Sequence, residues 1–243
     1  MKNNVAIITG SVRGIGKAIA EKLAAQGARV VLNSVNTVEE GKALAAELPD
    51  AIYVQGDVSD EAFCKVLIQA ALDAYGQLDI LVNNVGKSMQ VPYDDMAANS
   101  TELFHELYQT NVLSAWYLSM HALPHLRKSQ DGNILNISSI AGLKPVGSSI
   151  PYGLSKAALN HLSSYFANLG APDVRVNTVA PGFVITDRTR DWAEFNPKFS
   201  EGALVGRAGQ PEEIASVVMG VLASGFMTGE CVAVDGGFCF KAS

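Results

Sequence analysis

Tyr152 and Lys156 stand four residues apart in Pro151-Tyr152-Gly153-Leu154-Ser155-Lys156-Ala157-Ala158-Leu159, a stretch whose later part has helical spacing. Four residues is just over one helical turn, so the phenol and the amine share a face. A free tyrosine titrates near ~10 and is a poor proton donor or acceptor at neutral pH. An ammonium one turn away stabilises the phenolate, and the first turn of a helix adds the favourable end of the helix dipole. Such a pair suits carbonyl reduction by hydride, in which an alkoxide must gain a proton. Pro151 has no N–H to leave unpaired, suits a first helical turn and so fixes where the helix starts. By themselves a Tyr and a Lys at this spacing also describe a surface pair on an amphipathic helix. Ser139 changes that reading. It lies thirteen residues before Tyr152, at the end of the strand-like run Ile134-Leu135-Asn136-Ile137, where a hydroxyl can hold a carbonyl oxygen against the tyrosine.

A second constellation is Thr9-Gly10-Ser11-Val12-Arg13-Gly14-Ile15-Gly16, between an apolar strand and a helical stretch from Ile15 to Gln26. Glycines let a backbone turn tightly and approach a pyrophosphate, whose charge is met by free N–H groups at the helix start. Placement after the first strand favours dinucleotide binding over an ordinary turn. The second strand ends in Leu32-Asn33-Ser34, without the acid that would hold a ribose 2′-hydroxyl and repel a 2′-phosphate. Arg13 is the nearest cation and its fork can pair with a phosphate, so NADP (NADPH) is expected ahead of NAD. His121 and His125 have metal-ligand spacing, but no third ligand is near and Pro124 falls between them, so no metal is expected.

These groups need a scaffold. The chain has 243 residues, 48% hydrophobic and 17% charged, which suits one domain over residues 1–243. Short runs at 5–9, 29–32, 52–55, 80–82, 134–137, 175–179 and 231–234 read as strands separated by helices. Strands that are apolar throughout imply a sheet covered on both faces, and strand-helix alternation implies parallel crossovers. The fold class expected is therefore α/β, a doubly wound parallel sheet of about seven strands. Residues 87–99 and 187–205 read as loops over a site. With 18 Lys+Arg against 24 Asp+Glu the net charge is −6, and no basic run exceeds Arg127-Lys128, which argues against nucleic acid as a partner. No stretch has the form of a signal peptide or the length of a membrane span, so a cytoplasmic protein is expected. Cys64, Cys231 and Cys239 lack metal spacing and read as reduced thiols.

The Thr-Gly-three residues-Gly-Ile-Gly spacing resembles the short-chain dehydrogenase/reductase family. The resemblance extends through Asp57-Val58, Asn83-Asn84-Val85-Gly86, Asn111, Ser138-Ser139, Tyr152 with Lys156, Pro181-Gly182-Phe183-Val184-Ile185-Thr186 and Asp235-Gly236-Gly237, essentially the whole chain. It implies a Rossmann-like domain, adenine contacts from Asp57 and Val58, backbone contacts near Asn84 and Gly86, and nicotinamide contacts from Val184 and Thr186, beside Pro181 and Gly182. It also implies catalysis by Ser139, Tyr152 and Lys156. Asn111 would hold a water that relays protons to Lys156, and Lys156 would bond the nicotinamide ribose. Ser138, whose offset from Tyr152 suits the family less well, reads as a turn residue. Val85 departs from the family's usual alanine. A basic residue just before the second motif glycine, here Arg13, goes with NADP in the family. A homotetramer is implied, built from the 101–126 and 152–168 helices. The chain looks most like the 3-oxoacyl-[acyl-carrier-protein] reductases and their sugar and polyol dehydrogenase relatives.

The expected reaction is reversible reduction of a small-molecule ketone or 3-oxoacyl thioester to a secondary alcohol. A sugar or polyol dehydrogenase and a non-catalytic dinucleotide sensor are the alternatives. The loops offer Met89, Tyr93, Leu143, Pro145, Val146, Phe183, Trp192, Phe195 and Phe199, an apolar and aromatic set that favours an apolar or aromatic ketone over a phosphorylated sugar.

Overall fold

The computed structural model describes residues 1–191 and 202–240. The first half alternates β1 (Val5–Ile8), α1 (Gly14–Ala25), β2 (Arg29–Ser34), α2 (Val38–Glu47), β3 (Ala51–Gln55), α3 (Glu61–Tyr75) and β4 (Ile80–Asn83). The second holds α4 (Thr101–Tyr108), α5 (Ser114–Leu126), β5 (Gly132–Ile137), α6 (Ile150–Gly170), β6 (Val174–Pro181), α7 (Pro211–Ala223) and β7 (Cys231–Val234). Among the described residues the strands form one seven-stranded parallel sheet in the order β3-β2-β1-β4-β5-β6-β7. The fold is the doubly wound, Rossmann-like α/β class that the apolar strands imply.

The absence of alternation in those strands has its reason in the packing. Ala6 and Ile8 of β1 join a core with α1 and α7, whereas Val5 and Ile7 join another with α3, α5 and α6. Successive strand residues face opposite sides, so a strand covered twice needs apolar residues at every position. Five strands, β2 to β6, outrun the spans read from sequence. Asn33 and Ser34 continue β2 opposite Val54 and Gln55, and β6 reaches Pro181 because its last residues pair with β7. The 101–126 helical stretch is divided by a π turn at Gln109–Leu113, a local irregularity that polar and apolar spacing does not reveal.

The strand order reverses between β1 and β4, and in such sheets ligands lie outside the carboxyl ends of the strands at that point. Here the two strand ends are tied together. Thr9 Oγ1 accepts from the main-chain N–H groups of Asn84 and Val85 at 3.0 and 3.1 Å. Among the described residues no helix is long and apolar enough to cross a membrane.

Candidate active site

Beyond β1 the chain turns through Gly10 (φ 59°) and Gly14 (φ 56°), left-handed conformations that favour glycine. Gly16 is required by space: a Cβ there would lie 2.4 Å from Gly10 O and 2.5 Å from Asn84 Nδ2. Asn84 braces the turn by donating to Thr9 O at 2.9 Å and Gly10 O at 3.1 Å. The α1 N-cap residue, Arg13, makes no side-chain cap, and the first turn holds no acid. The first N–H groups of α1 and the positive end of its dipole are thus presented to an anion over Gly14 and Ile15, as a dinucleotide diphosphate requires.

The other residues read as cofactor contacts divide by orientation. Ser11 is buried, its Oγ accepting from Asn33 N and its N–H donating to Asn33 O, both at 3.0 Å, so it ties the turn to β2. Asn33 is buried and its amide donates to Val54 O and Gly56 O at 3.1 Å. Ser34 Oγ lies 2.8 Å from both Tyr53 OH and Thr37 Oγ1. Asp57 is exposed and accepts from Ser59 N at 2.9 Å, while Val58 is buried. Arg13 is exposed, with no side-chain partner among the described residues.

The reactive groups converge beyond β5. Ser139 Oγ accepts from Ala141 N at 3.1 Å, which caps the short turn Ile140–Gly142, and the residue lines the same cavity as Tyr152. Tyr152 sits in the first turn of α6, where Ser149 Oγ accepts from its N–H at 3.3 Å and Pro151 precedes it. Ser138 is buried and donates to Lys156 O at 3.3 Å, so its hydroxyl supports the helix backbone. Lys156 is 3% exposed and its Nζ donates to Ile137 O at 3.0 Å. Asn111 lies in the π turn; its Oδ1 accepts from Lys87 N at 2.7 Å, and its Nδ2 donates to Lys87 O at 3.0 Å and Ser155 Oγ at 2.9 Å. Gly86 marks where these groups approach: a Cβ there would lie 3.1 Å from Lys156 Nζ and 3.5 Å from Asn111 Oδ1.

Burial raises the Tyr152 phenol above its ordinary range, opposed by the Ser139 hydroxyl and the Arg188 cation. Burial first, and the Arg188 cation second, bring Lys156 down to about 7. The sequence reading assigned the lowering of Tyr152 to Lys156. In the structure the Lys156 amine donates to Ile137 O and lies against Gly86, and the groups that act to lower the phenol are the Ser139 hydroxyl and the Arg188 cation.

A cavity of about 390 Å³ covers these groups. Gly10, Arg13, Gly14 and Ile15 line one end, with Asn84, Val85 and Gly86 along the β4 edge. Ser139, Tyr152 and Lys156 line the other end, and Pro181, Gly182, Val184 and Thr186 flank it from β6. Of the substrate candidates, Val146 and Phe183 line the cavity and Met89 and Tyr93 do not. Met89 is exposed, and Tyr93 OH instead donates to Gly147 O at 3.1 Å. Their chain neighbours Ser88 and Gln90 line the cavity instead. Trp192, Phe195 and Phe199 lie outside the described residues.

A family model described as Enoyl-(Acyl carrier protein) reductase matches residues 10–239. A protein assigned as ketoacyl reductase 2 of the granaticin polyketide synthase of Streptomyces violaceoruber is 43% identical over 236 residues, 96% of this chain and 95% of its own. The chain belongs to the short-chain dehydrogenase/reductase family. The 3-oxoacyl-[acyl-carrier-protein] reductase of Chlamydia muridarum is 33% identical over 245 residues, 97% of each chain. A dehydrogenase/reductase from Sinorhizobium meliloti 1021 has a TM-score of 0.89 and 32% identity, covering 98% of this chain and 96% of its own. As a short-chain dehydrogenase/reductase, the protein is an oxidoreductase acting on carbonyl or hydroxyl groups, and its family binds a nicotinamide dinucleotide.

Besides Ser88 and Gln90, the groups that sequence reasoning missed in the cavity of this short-chain dehydrogenase/reductase include Arg188 and Phe238. Arg188 stands two residues past Thr186, inside the 187–205 stretch read as a loop over the site, a position from which a cation could have been suspected. Phe238 comes from the turn Phe238–Phe240 after β7, and only the tertiary fold brings it to the site.

Proposed function

We propose that this short-chain dehydrogenase/reductase reduces a ketone or 3-oxoacyl thioester to a secondary alcohol, reversibly, with NADPH favoured over NADH. The observation that carries this reading is the convergence of Ser139, Tyr152 and Lys156 on one cavity whose far end is the glycine turn. The nicotinamide, when bound, supplies the hydride that adds to the carbonyl carbon. Ser139 holds the carbonyl oxygen by its hydroxyl, and Tyr152 gives its proton to that oxygen, so the C=O double bond becomes CH–OH. Lys156, titrating near neutrality, returns a proton to the phenolate, and Asn111 fixes the Lys87 main chain beside it. In the reverse direction the phenolate takes the alcohol's proton.

The NADPH preference rests on charge. No acid stands at the end of β2, and Arg13 is exposed at the cavity mouth with its guanidinium free among the described residues. Ile140, Val146, Phe183 and Phe238 make the substrate end apolar, which favours an apolar or aromatic carbonyl compound. We also place the protein in the cytoplasm as a homotetramer, through helix faces that expose Trp116, Tyr165 and Leu169. Titration with NADPH and NADH, followed by a panel of ketones, acetoacetyl thioesters and sugars read at the nicotinamide absorbance band, tests the proposal. Tighter NADPH binding with ketone or thioester turnover supports it. NADH preference overturns the Arg13 argument, and binding without turnover of any carbonyl overturns the enzymatic one.

A further inference from the structure

Arg188 lies on a well-built turn leaving β6. Thr189 Oγ1 accepts from Thr186 N at 2.8 Å and donates to Val184 O at 2.6 Å, and Arg190 N donates to Thr186 O at 2.9 Å. The one acid beside it, Asp187, pairs with Arg190 at 3.4 Å. Among the described residues Arg188 therefore has no carboxylate. Its hydrogen bond runs from Nη1 to Gly86 O at 2.6 Å, across the cleft from the β6 side to the β4 side.

Two contacts locate that crossing. Thr186, where the turn begins, sits over the glycine turn, since a Cβ on Gly14 would meet Thr186 Cγ2 at 3.3 Å. Gly86, where the guanidinium ends, sits against Lys156 Nζ. The Arg188 side chain thus reaches from a turn that overlies the start of α1 to the Gly86 carbonyl at the catalytic end. A guanidinium carries five N–H donors in a rigid fork suited to phosphate oxygens, and Gly86 O occupies one of them.

We propose that Arg188 is a cofactor-binding latch: it pairs with the dinucleotide diphosphate through the donors that Gly86 leaves free and straps the cofactor into the cleft from above. The inference rests on the reading of this cleft as the dinucleotide site. Diphosphate lying over Gly14 and Ile15 meets N–H groups and a helix dipole below and meets this cation from the opposite wall. The effect of Arg188 on both Tyr152 and Lys156 agrees with a charge held close over the site.

The test is a binding titration that needs no turnover. Wild type, Arg188→Ala and Arg188→Lys are titrated with NADPH and NADH by nicotinamide fluorescence at low and high salt, with circular dichroism to verify folding. Arg188→Ala is expected to weaken both dinucleotides about tenfold, the scale of one lost charge-assisted contact, and to flatten the salt dependence. Arg188→Lys recovers part of the affinity. Unchanged dinucleotide affinity in Arg188→Ala overturns the proposal, and so does an effect confined to the KM of carboxylate-bearing carbonyl substrates, which would assign the fork to substrate. Failure of the underlying reading looks different, because wild type itself would then bind neither dinucleotide.

Discussion

Tyr152 and Lys156 are pushed apart by the same burial, the phenol upward and the amine down to about 7. The raised phenol stays protonated through neutral pH, so carbonyl reduction should hold its rate there and fall toward alkaline pH. Alcohol oxidation needs the phenolate and should rise over the same range. Initial rates in both directions across pH check this, and parallel profiles would contradict it. Lys156 gives a second prediction, on stability. Its value is 10.5 when unperturbed and about 7 in the folded protein. Between those limits the unfolded chain holds a proton that the folded chain lacks, so this group's contribution to stability rises with pH from about 7 to 10.5. The burial cost is fully present below 7. Lys156→Met should therefore abolish turnover yet raise the thermal midpoint at pH 6, with the gain shrinking as pH rises. A lower midpoint at pH 6 than wild type would count against the assigned burial.

Elements place these residues by contacts that a linear reading sees unevenly. The glycine turn was legible because three glycines between a strand and a helix have few other uses, and Gly16 shows the constraint in numbers. Gly16→Ala puts a methyl 2.4 Å from Gly10 O, so the turn must shift. Dinucleotide affinity should fall at least about tenfold and stability by about 1–3 kcal/mol, as overpacking against backbone typically costs; isothermal titration and urea unfolding measure the two. Ser11 and Asn33, cofactor contacts in the sequence reading, also have a structural part that spacing does not reveal. They bond each other's strands, which depends on how β1 and β2 sit side by side and leaves no trace in residue spacing. The same limit applies to Met89 and Tyr93. An apolar loop composition does not say which alternate residues turn inward, and Ser88 and Gln90 do. Asn111 was assigned by resemblance, and its π turn had no signature in the helical pattern.

At the scale of the molecule, the fold class followed from apolar strands alternating with helices, because a sheet covered on both faces leaves no other pattern open. The place of the site followed from the strand order, which reverses where Thr9 and Asn84 meet. A ligand bridging that reversal touches β1, β4, β5 and β6 at once and should stabilise the whole sheet. By linkage, NADPH at a hundred times its dissociation constant is expected to add about 2.7 kcal/mol to the unfolding free energy, and an equal concentration of NADH less. Equal thermal shifts with the two dinucleotides would remove the preference assigned to Arg13. The central claim is that Tyr152 transfers the proton in carbonyl reduction. Its most direct test compares wild type with Tyr152→Phe, measuring both NADPH affinity and NADPH-dependent ketone or acetoacetyl thioester reduction. The account predicts nearly unchanged affinity with kcat/KM reduced about 10²- to 10⁴-fold, the usual contribution of a general acid. Undiminished reduction by Tyr152→Phe would contradict it.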